Sequence, residues 1–342
     1  MQAEEFYSRD PSPEDYWRGI ILFGRNVASY KFALAKALLD LKPESGQLLK
    51  MTDLAPTFSQ HLTEHLKAAD KQTTSRSSRF LDACRRFNHG EIDHQTLIEE
   101  TVRHGFNNVI DAFHVVGDGE IPKRFYIDER ATNGGIRVTD EFSALQDSFQ
   151  HQNLVEEVES RWRLVETAWE LKVSTSLMYI DYDETSKSLF SLDSGRRRMS
   201  VTSSRGALNG YQKGKCFYCN GDIIVDEKDA DAEVDHFFPH LLKQSGFGQV
   251  IDGVWNLVLS CVDCNRGIGG KFARVPSLRL LARLFKRNEY LISSHHPLRE
   301  TLLQQTGMTE SARKTYLNNF HQRAHSTLLH LWEPEEKSES RL

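Results

Sequence analysis

The chain is short of three things, and each shortage excludes something. No apolar run approaches the length of a membrane span, and the N-terminus lacks the pattern of a secretory leader, so a cytoplasmic location without membrane contact is expected. Cysteine is scarce, five in 342 residues, which excludes a disulfide-stapled scaffold and leaves each thiol to be explained individually. An excess of positive charge is absent: the formal net charge is −5, so contact with nucleic acid has to come from a local basic surface. The remainder is ordinary for a globular protein, with 39% hydrophobic and 27% charged residues and enough length for two or three compact units.

In chain order, helix and hairpin signals alternate. After a polar leader, Ser12-Pro13-Glu14-Asp15 is a helix start, and Trp17, Ile20, Ile21, Phe23, Phe32 and Leu38 carry a helix to about Leu41. Arg25 and Asn26 interrupt its apolar surface, as part of a solvated face or as contacts to a phosphate or partner. Asp53 is placed to cap a helix over about 55–69, and helical patterns follow over about 78–88 and 93–114. Cys84 fits there as a small buried hydrophobe, and His61, His65, His94 and His104 as surface or satisfied histidines. Asn133-Gly134-Gly135, between Arg124–Asp128 and Ile136–Thr139, predicts a hairpin. Residues 142–173 predict a helix with Leu154, Val158, Trp162, Val165 and Trp169 on its core face.

Leu177–Ile180 and Leu189-Phe190 predict a second hairpin around Asp183-Glu184-Thr185. No acid occurs between Asp193 and Asp222, while Arg196, Arg197, Arg198, Arg205, Lys213 and Lys215 do. That run is either a solvated face or a track for a phosphate backbone. Residues 200–212 are expected as a helix or turn. Pro276 restarts a helix to about Leu291, Thr309 caps a last one to about Leu331, and 333–342 is expected to be a disordered tail.

The chemistry concentrates between Cys216 and Lys271. Cys216-Phe-Tyr-Cys219 and Cys261-Val-Asp-Cys264 each supply two thiolates from one tight knuckle, and two such pairs around a compact insert favour one closed tetrahedral zinc over a redox motif. A four-thiolate zinc has no open position, so its role is structural. Inside the insert lie Val234-Asp235-His236-Phe-Phe-Pro239 and Asn256, and Asn265-Arg266 follow the last cysteine. Asp235 and Asn265 offer the oxygen donors that Mg²⁺ prefers. Neighbouring side chains alternate across an extended backbone, which leaves His236 on the other side, where an imidazole can accept a proton from water. Asn265 also suits a helix cap, and His240 is a surface residue or one within reach of the site. Gly267-Ile-Gly-Gly270 permits a turn or a close approach to phosphate before Lys271.

Over about residues 206–275, the order of the cysteines, Asp-His, Pro239, Asn256 and Asn265-Arg266 resembles the HNH nuclease family in its four-cysteine, zinc-stapled form. The resemblance implies a β-hairpin followed by a helix around a divalent ion. Val234–Phe237 would lie on the first strand, Asn256–Leu259 on or beside the second, and Cys264-Asn265 at the start of the helix. It implies His236 as general base, Asp235 and Asn265 as ligands of a catalytic Mg²⁺ or Mn²⁺, and Asn256 as the residue that steadies the His-bearing loop. Arg266 and Lys271 would sit near the scissile phosphate, although Lys271 is further from Asn-Arg than the family pattern has it.

The expected fold class is therefore α+β. A helical N-terminal region with hairpins (1–195) precedes a ββα nuclease module (196–275), C-terminal helices (276–332) and the tail. The expected function is a metal-dependent endonuclease on DNA, with RNA as the alternative substrate; the family resemblance implies products with 5′-phosphate and 3′-hydroxyl ends. Arg196, Arg197 and Arg198 are expected as further nucleic-acid contacts. The N-terminal region is expected to dock a protein partner, sense a trigger or contact DNA, an architecture similar to bacterial restriction and anti-phage effectors. The rival expectation is a non-catalytic zinc module that binds nucleic acid or protein, in which Asp-His is a chance dipeptide.

Overall fold

Capped amphipathic stretches and short aromatic or β-branched runs are the two local instructions the chain carries, and both are obeyed. The computed structural model describes residues 11–24, 27–117, 119–170, 180–183, 185–192, 198–225, 231–293 and 298–338. They form an α+β fold with small sheets. The chain divides into two units, Tyr7–Lys172 and Val173–Leu342. The cysteines and the C-terminal helices belong to the same unit.

In the first unit Ser12 caps α1 (Pro13–Phe23) in a capping box with Asp15. The single helix expected to Leu41 is broken after Gly24, and α2 (Tyr30–Leu41) starts afresh. Two competing interactions cause the break. The Lys31 amino group sits on the last carbonyls of α1, donating to Ile20 O at 3.2 Å and Gly24 O at 3.0 Å, while burial holds its pKa well below the usual lysine value. The backbone that follows pairs instead with 72–74, through Ser29 N–H to Gln72 O and Thr74 N–H to Val27 O. Arg25 and Asn26 lie outside the described residues.

β1 (Leu48–Lys50) leads into α3 (Met51–Ala68), in whose first turn Asp53 lies; it is not the cap. Ser78 caps α4 (Arg79–Asn88) and Asp93 caps α5 (His94–Glu100). The helix expected over 93–114 is interrupted by a π turn at Thr101–Gly105 before α6 (Val109–Ala112). After the two-residue strands β2 (Val115–Val116) and β3 (Gly119–Glu120), the hairpin around Asn133 is formed by β4 (Tyr126–Glu129), the helical turn α7 (Arg130–Asn133) and β5 (Gly135–Val138). β1 completes that sheet in the order β1-β5-β4. The helix expected over 142–173 is two, α8 (Asp140–Gln146) and α9 (His151–Glu170).

The stripe of α9 is core: Leu154, Val158, Trp162 and Val165 are buried with Trp17, Phe32 and Phe58. Cys84 is fully buried there, its thiol pushed up to about 12 by burial. His61 bonds Asp40 at 2.7 Å, and His65 stacks on Trp162 while bonding Glu166 at 2.6 Å.

The second unit opens with an antiparallel sheet of β6 (Asp181–Asp183), β7 (Ser188–Leu192) and β8 (Arg198–Ser203). The hairpin turns where expected, but part of its predicted first strand (177–179) lies outside the described residues, as do Arg196 and Arg197. The stretch expected as helix or turn over 200–212 begins as strand and becomes α10 (Ser204–Gln212). Antiparallel β9 (Ala232–His236) and β10 (Leu257–Cys261) run into α11 (Val262–Arg266). Then come β11 (Val275–Pro276), α12 (Leu278–Ser293), α13 (Leu298–Thr306), α14 (Glu310–Leu328), which Thr309 caps, and β12 (Leu331–Trp332), which pairs parallel to β11. No helix among the described residues is long and apolar enough to cross a membrane.

One buried histidine makes the first unit sensitive to acid. His114 accepts the Phe125 N–H at Nε2, 3.1 Å away, and burial, with the nearby Arg124 charge, lowers its pKa to about 3. Below about pH 6.5 the unfolded chain takes up a proton that the folded ring refuses. This histidine therefore stabilises fully above that pH, and its contribution falls with acidification by up to about 1.4 kcal/mol per unit until about pH 3. His114→Gln, which keeps an acceptor, is expected to flatten the pH dependence of the unfolding free energy between pH 6.5 and 4. Urea titrations of both proteins at several pH values measure it, and parallel curves would refute it.

Candidate metal centre and active site

The first knuckle is closed by its own backbone: Cys216 N–H bonds Gly221 O at 2.7 Å and Asn220 N–H bonds Cys216 O at 3.0 Å, with Asn220 left-handed at φ 58°. The second is the corner between β10 and α11, with Cys261 ending the strand and Cys264 inside the helix. Phe217 N–H to Leu259 O, 2.9 Å, ties the two together. All four sulfurs lie within 4.8 Å of one another, and those of Cys219 and Cys261 are 3.9 Å apart. Zinc–sulfur bonds of about 2.3 Å in a tetrahedron require sulfur spacings of about 3.8 Å, so the cluster fits a structural zinc ion.

Polar groups surround this clamp. Arg283 of α12 donates to the carbonyls of Phe217 (2.7 Å) and Tyr218 (3.0 Å) and pairs with Glu336 at 2.7 Å. Lys337 N–H bonds Cys219 O at 2.7 Å, its ammonium lies 3.3 Å from Asp263, and Ser338 Oγ bonds Asn220 O at 2.6 Å. Residues 336–338, expected as part of a disordered tail, therefore lie along the first knuckle, and Glu333 pairs with Arg279; 339–342 fall outside the described residues.

The hairpin presents Asp235 and His236 on opposite faces of β9, opposite Val258 and Leu257 of β10. Asn256 is fully buried and pins the loop after His236. Its Oδ1 accepts the Phe238 N–H at 2.8 Å, while its Nδ2 donates to Phe238 O at 3.1 Å and Ile251 O at 2.8 Å. On one face, Tyr218 donates its hydroxyl to Asp235 Oδ2 at 2.6 Å and the Lys271 ammonium lies 3.2 Å from the same oxygen. Burial pushes the Asp235 carboxyl up, opposed by Lys271 and Tyr218, and pushes Lys271 down, opposed by Asp235.

On the other face, His236 lies near Tyr182 and His240, with ring centroids at 6.1 and 5.4 Å. Its Nε2 is buried and has no hydrogen-bond partner among the described residues. Asp252 Oδ1, equally without one, is 3.6 Å from that nitrogen and 3.6 Å from His240 Nε2. Burial lowers the His236 pKa to about 4, so the ring is neutral at pH 7.

Several expected positions need correction. Asn265 is not at the start of α11 and does not turn to Asp235: its Nδ2 donates to Glu233 Oε2 at 2.8 Å, and Arg266 Nε donates to Glu233 Oε1 at 2.8 Å. Glu233, two residues before Asp235 on the same strand face, draws both away. The cation beside Asp235 is Lys271, whose ammonium also donates to His236 O (2.9 Å) and Phe272 O (3.2 Å). The arrangement thus does not fit a divalent ion held by Asp235 and Asn265. Among the described residues, only the four cysteines form a group of three or more His, Cys, Asp or Glu side chains placed to hold an ion.

Lys271 is 1% exposed, so it does not face a phosphate arriving from solvent. The glycine tract explains its burial. A Cβ at Gly267 would lie 2.6 Å from Asp263 Cα and one at Gly270 2.7 Å from Asp263 O, so the glycines let the chain fold back on α11, not against a phosphate. Arg266 stays at the surface, paired with Glu233. Tyr218 and Asp252 carried no sequence signal, whereas the alternation of β9 places Glu233 beside Asp235.

The purified chain is expected to carry one zinc per molecule by elemental analysis. Cys216→Ser should lose both the metal and the folding free energy it supplies, of order 10 kcal/mol for such sites; a zinc-free, soluble, equally stable variant would contradict the clamp. Lys271→Met leaves the Asp235 carboxylate buried beside Tyr218 alone and is expected to destabilise the chain by about 3–5 kcal/mol. Denaturant unfolding measures it, and a loss below about 1 kcal/mol, the size of an exposed pair, would show that the pair is solvated.

No protein-family model, curated protein or solved structure matches this chain.

Proposed function

We propose that the module from α10 to β11 is a phosphodiesterase of the HNH type that cuts DNA. The observation that supports it best is the state of His236: a neutral imidazole at the end of a β9–β10–α11 unit closed by four cysteines, its buried Nε2 without a protein partner among the described residues. A nitrogen in that state can accept the proton of an attacking water, and Asp252, 3.6 Å away, would hold the imidazolium that results. The triple hydrogen bonding of Asn256 fixes the loop that follows His236, which supplies the preorganisation that chemistry at a phosphate requires. Arg266, with 65% of its side chain exposed, is the cation beside the unit that a phosphate could reach, in exchange for Glu233. No step is assigned to a divalent ion, because the carboxylate that would hold it is occupied by Lys271.

One observation favours the second reading, a zinc-stapled module that binds nucleic acid or protein without cutting it. Asp235 is already satisfied by Tyr218 and Lys271, as a structural carboxylate would be.

Supercoiled plasmid and a single-stranded RNA, incubated with wild type and His236→Ala in EDTA, Mg²⁺ or Mn²⁺, separate the two. The nuclease reading expects nicking by wild type, at least about 10²-fold slower in the variant, with zinc content unchanged. Equal cutting by both proteins removes the role of His236. Metal-independent binding without cutting in any condition establishes the second reading.

A further inference from the structure

Hydrolysis of a phosphodiester has two ends: the attacking water loses a proton and the departing oxygen gains one. Under the proposed function His236 performs the first task. With Asp235 held by Lys271, a donor for the second has to come from the side chains around His236. Tyr182 and His240 place their rings beside it, at centroid distances of 6.1 and 5.4 Å, and the Lys187 charge is felt there too. A phenol or an ammonium, with ordinary pKa values of about 10 and about 10.4, holds its proton too tightly near neutral pH. An imidazole, at about 6.5, can give one up.

The backbone brings this second imidazole in. Asn256 pins Phe238, Pro239 follows, and His240 opens the 3₁₀ turn His240–Ser245. One turn on, Lys243 donates to Asp252 Oδ2 at the end of the next 3₁₀ turn, Gly248–Asp252. That bond leaves Oδ1 facing both rings, 3.6 Å from His236 Nε2 and 3.6 Å from His240 Nε2. The two histidines differ in exposure. The His236 side chain is 9% exposed and its ring is neutral, chiefly through burial. The His240 side chain is 45% exposed, so solvent reaches it. A carboxylate equidistant from a buried and an exposed imidazole lets a positive charge pass between the rings without leaving its counter-charge. Unlike surroundings for two titratable groups are also what separates a base from an acid.

We propose that His240 is the general acid of the phosphodiesterase, a catalytic residue that gives its Nε2 proton to the departing oxygen while His236 Nε2 takes the proton of the attacking water. The bond from the water oxygen to phosphorus forms as the bond from phosphorus to the departing oxygen breaks. The positive charge starts on His240 and ends on His236, beside Asp252 in both states. Passage of the proton from His236 through Asp252 to His240 restores both rings, and no further reagent is consumed. This inference rests on the nuclease reading, and it can fail while that reading stands.

The test uses DNA duplexes in which sulfur replaces the bridging 3′ or 5′ oxygen at a mapped cut. A thiolate, from a thiol of pKa about 8.5, departs without a proton, and an alkoxide does not. His240→Ala and His240→Asn are expected to cut the all-oxygen duplex at least about 10²-fold more slowly than wild type and to recover most of that loss on one sulfur duplex. Zinc content and unfolding midpoint should stay at their wild-type values, because the position is exposed. His236→Ala is expected to be slow on every duplex. Equal slowing of the His240 variants on oxygen and sulfur would reduce this residue to a structural or binding role and overturn the proposal. Wild-type speed of those variants on oxygen would overturn it as well. With His236→Ala still slow, either result spares the nuclease reading. No cutting by wild type, or undiminished cutting by His236→Ala, removes both.

Discussion

Four sulfurs held within 4.8 Å of one another are the constraint on which the second unit depends. Contact among them pushes the Cys216 and Cys264 thiols up and Cys261 down, because a thiolate that forms first is held by its neighbours and opposes the next. Only a cation lets all four ionise together, and zinc has the size and geometry for it. The hairpin next to the four cysteines has five residue pairs, β9 on β10, and a two-stranded ribbon of that length is marginal by itself. The clamp thus fixes the register that puts Asp235 on one face and His236 on the other. Arg283 and residues 336–338 are arranged around the same first knuckle, so they too rely on it.

The pair of Lys271 and Asp235 is the next constraint inward. Burying both charges is costly, and their attraction offsets this only when the remaining donors are used. Here they are: the three ammonium hydrogens have Asp235, His236 O and Phe272 O as acceptors, and the carboxylate has Tyr218 besides. Removing one charge from such a pair costs about 3–5 kcal/mol. A hard ion held by one carboxylate and one amide keeps most of its waters and gains less from the protein. On this balance the ammonium keeps the carboxylate, and the loop after α11 stays pinned beneath β9.

How much of this was legible in the sequence depended on the range of the interaction. The cysteine pairs and the apolar stripe of α9 are local patterns, and the chain follows them; the strand–strand–helix order was implied only by the family resemblance, and β9, β10 and α11 take that order. The helix breaks were legible only in part. Gly24 is a visible stop, yet what ends α1 is the Lys31 amino group on its last carbonyls and the pairing of residues 27–29 with 72–74, both of which need the fold. The site was legible as a set of residues and not as a set of pairings. Asn265 and Asp235 are both present, but Glu233 and Lys271 compete for them, and no spacing rule tells which partner wins. Asp252 lies in a run of 3₁₀ turns between the strands, with no periodicity to mark it.

The two faces of β9 differ in a way that bears on where chemistry could occur. On one, every charged group has a partner: Glu233 holds Asn265 and Arg266, and Asp235 holds Tyr218 and Lys271. On the other, His236 Nε2 and Asp252 Oδ1 are buried 3.6 Å apart and neither has a hydrogen bond among the described residues. A buried polar atom left unsatisfied costs about 1–3 kcal/mol, and folded proteins keep few of them. Two facing each other mark the place where a water or a substrate oxygen would relieve that cost. The saturated face has the opposite property, since anything that binds there must first break an existing pair. The asymmetry leaves the Asp235 side satisfied by its own pairs and the His236 side with the unsatisfied groups, so under the proposed nuclease reading it is the His236 side on which a substrate oxygen would find a free partner.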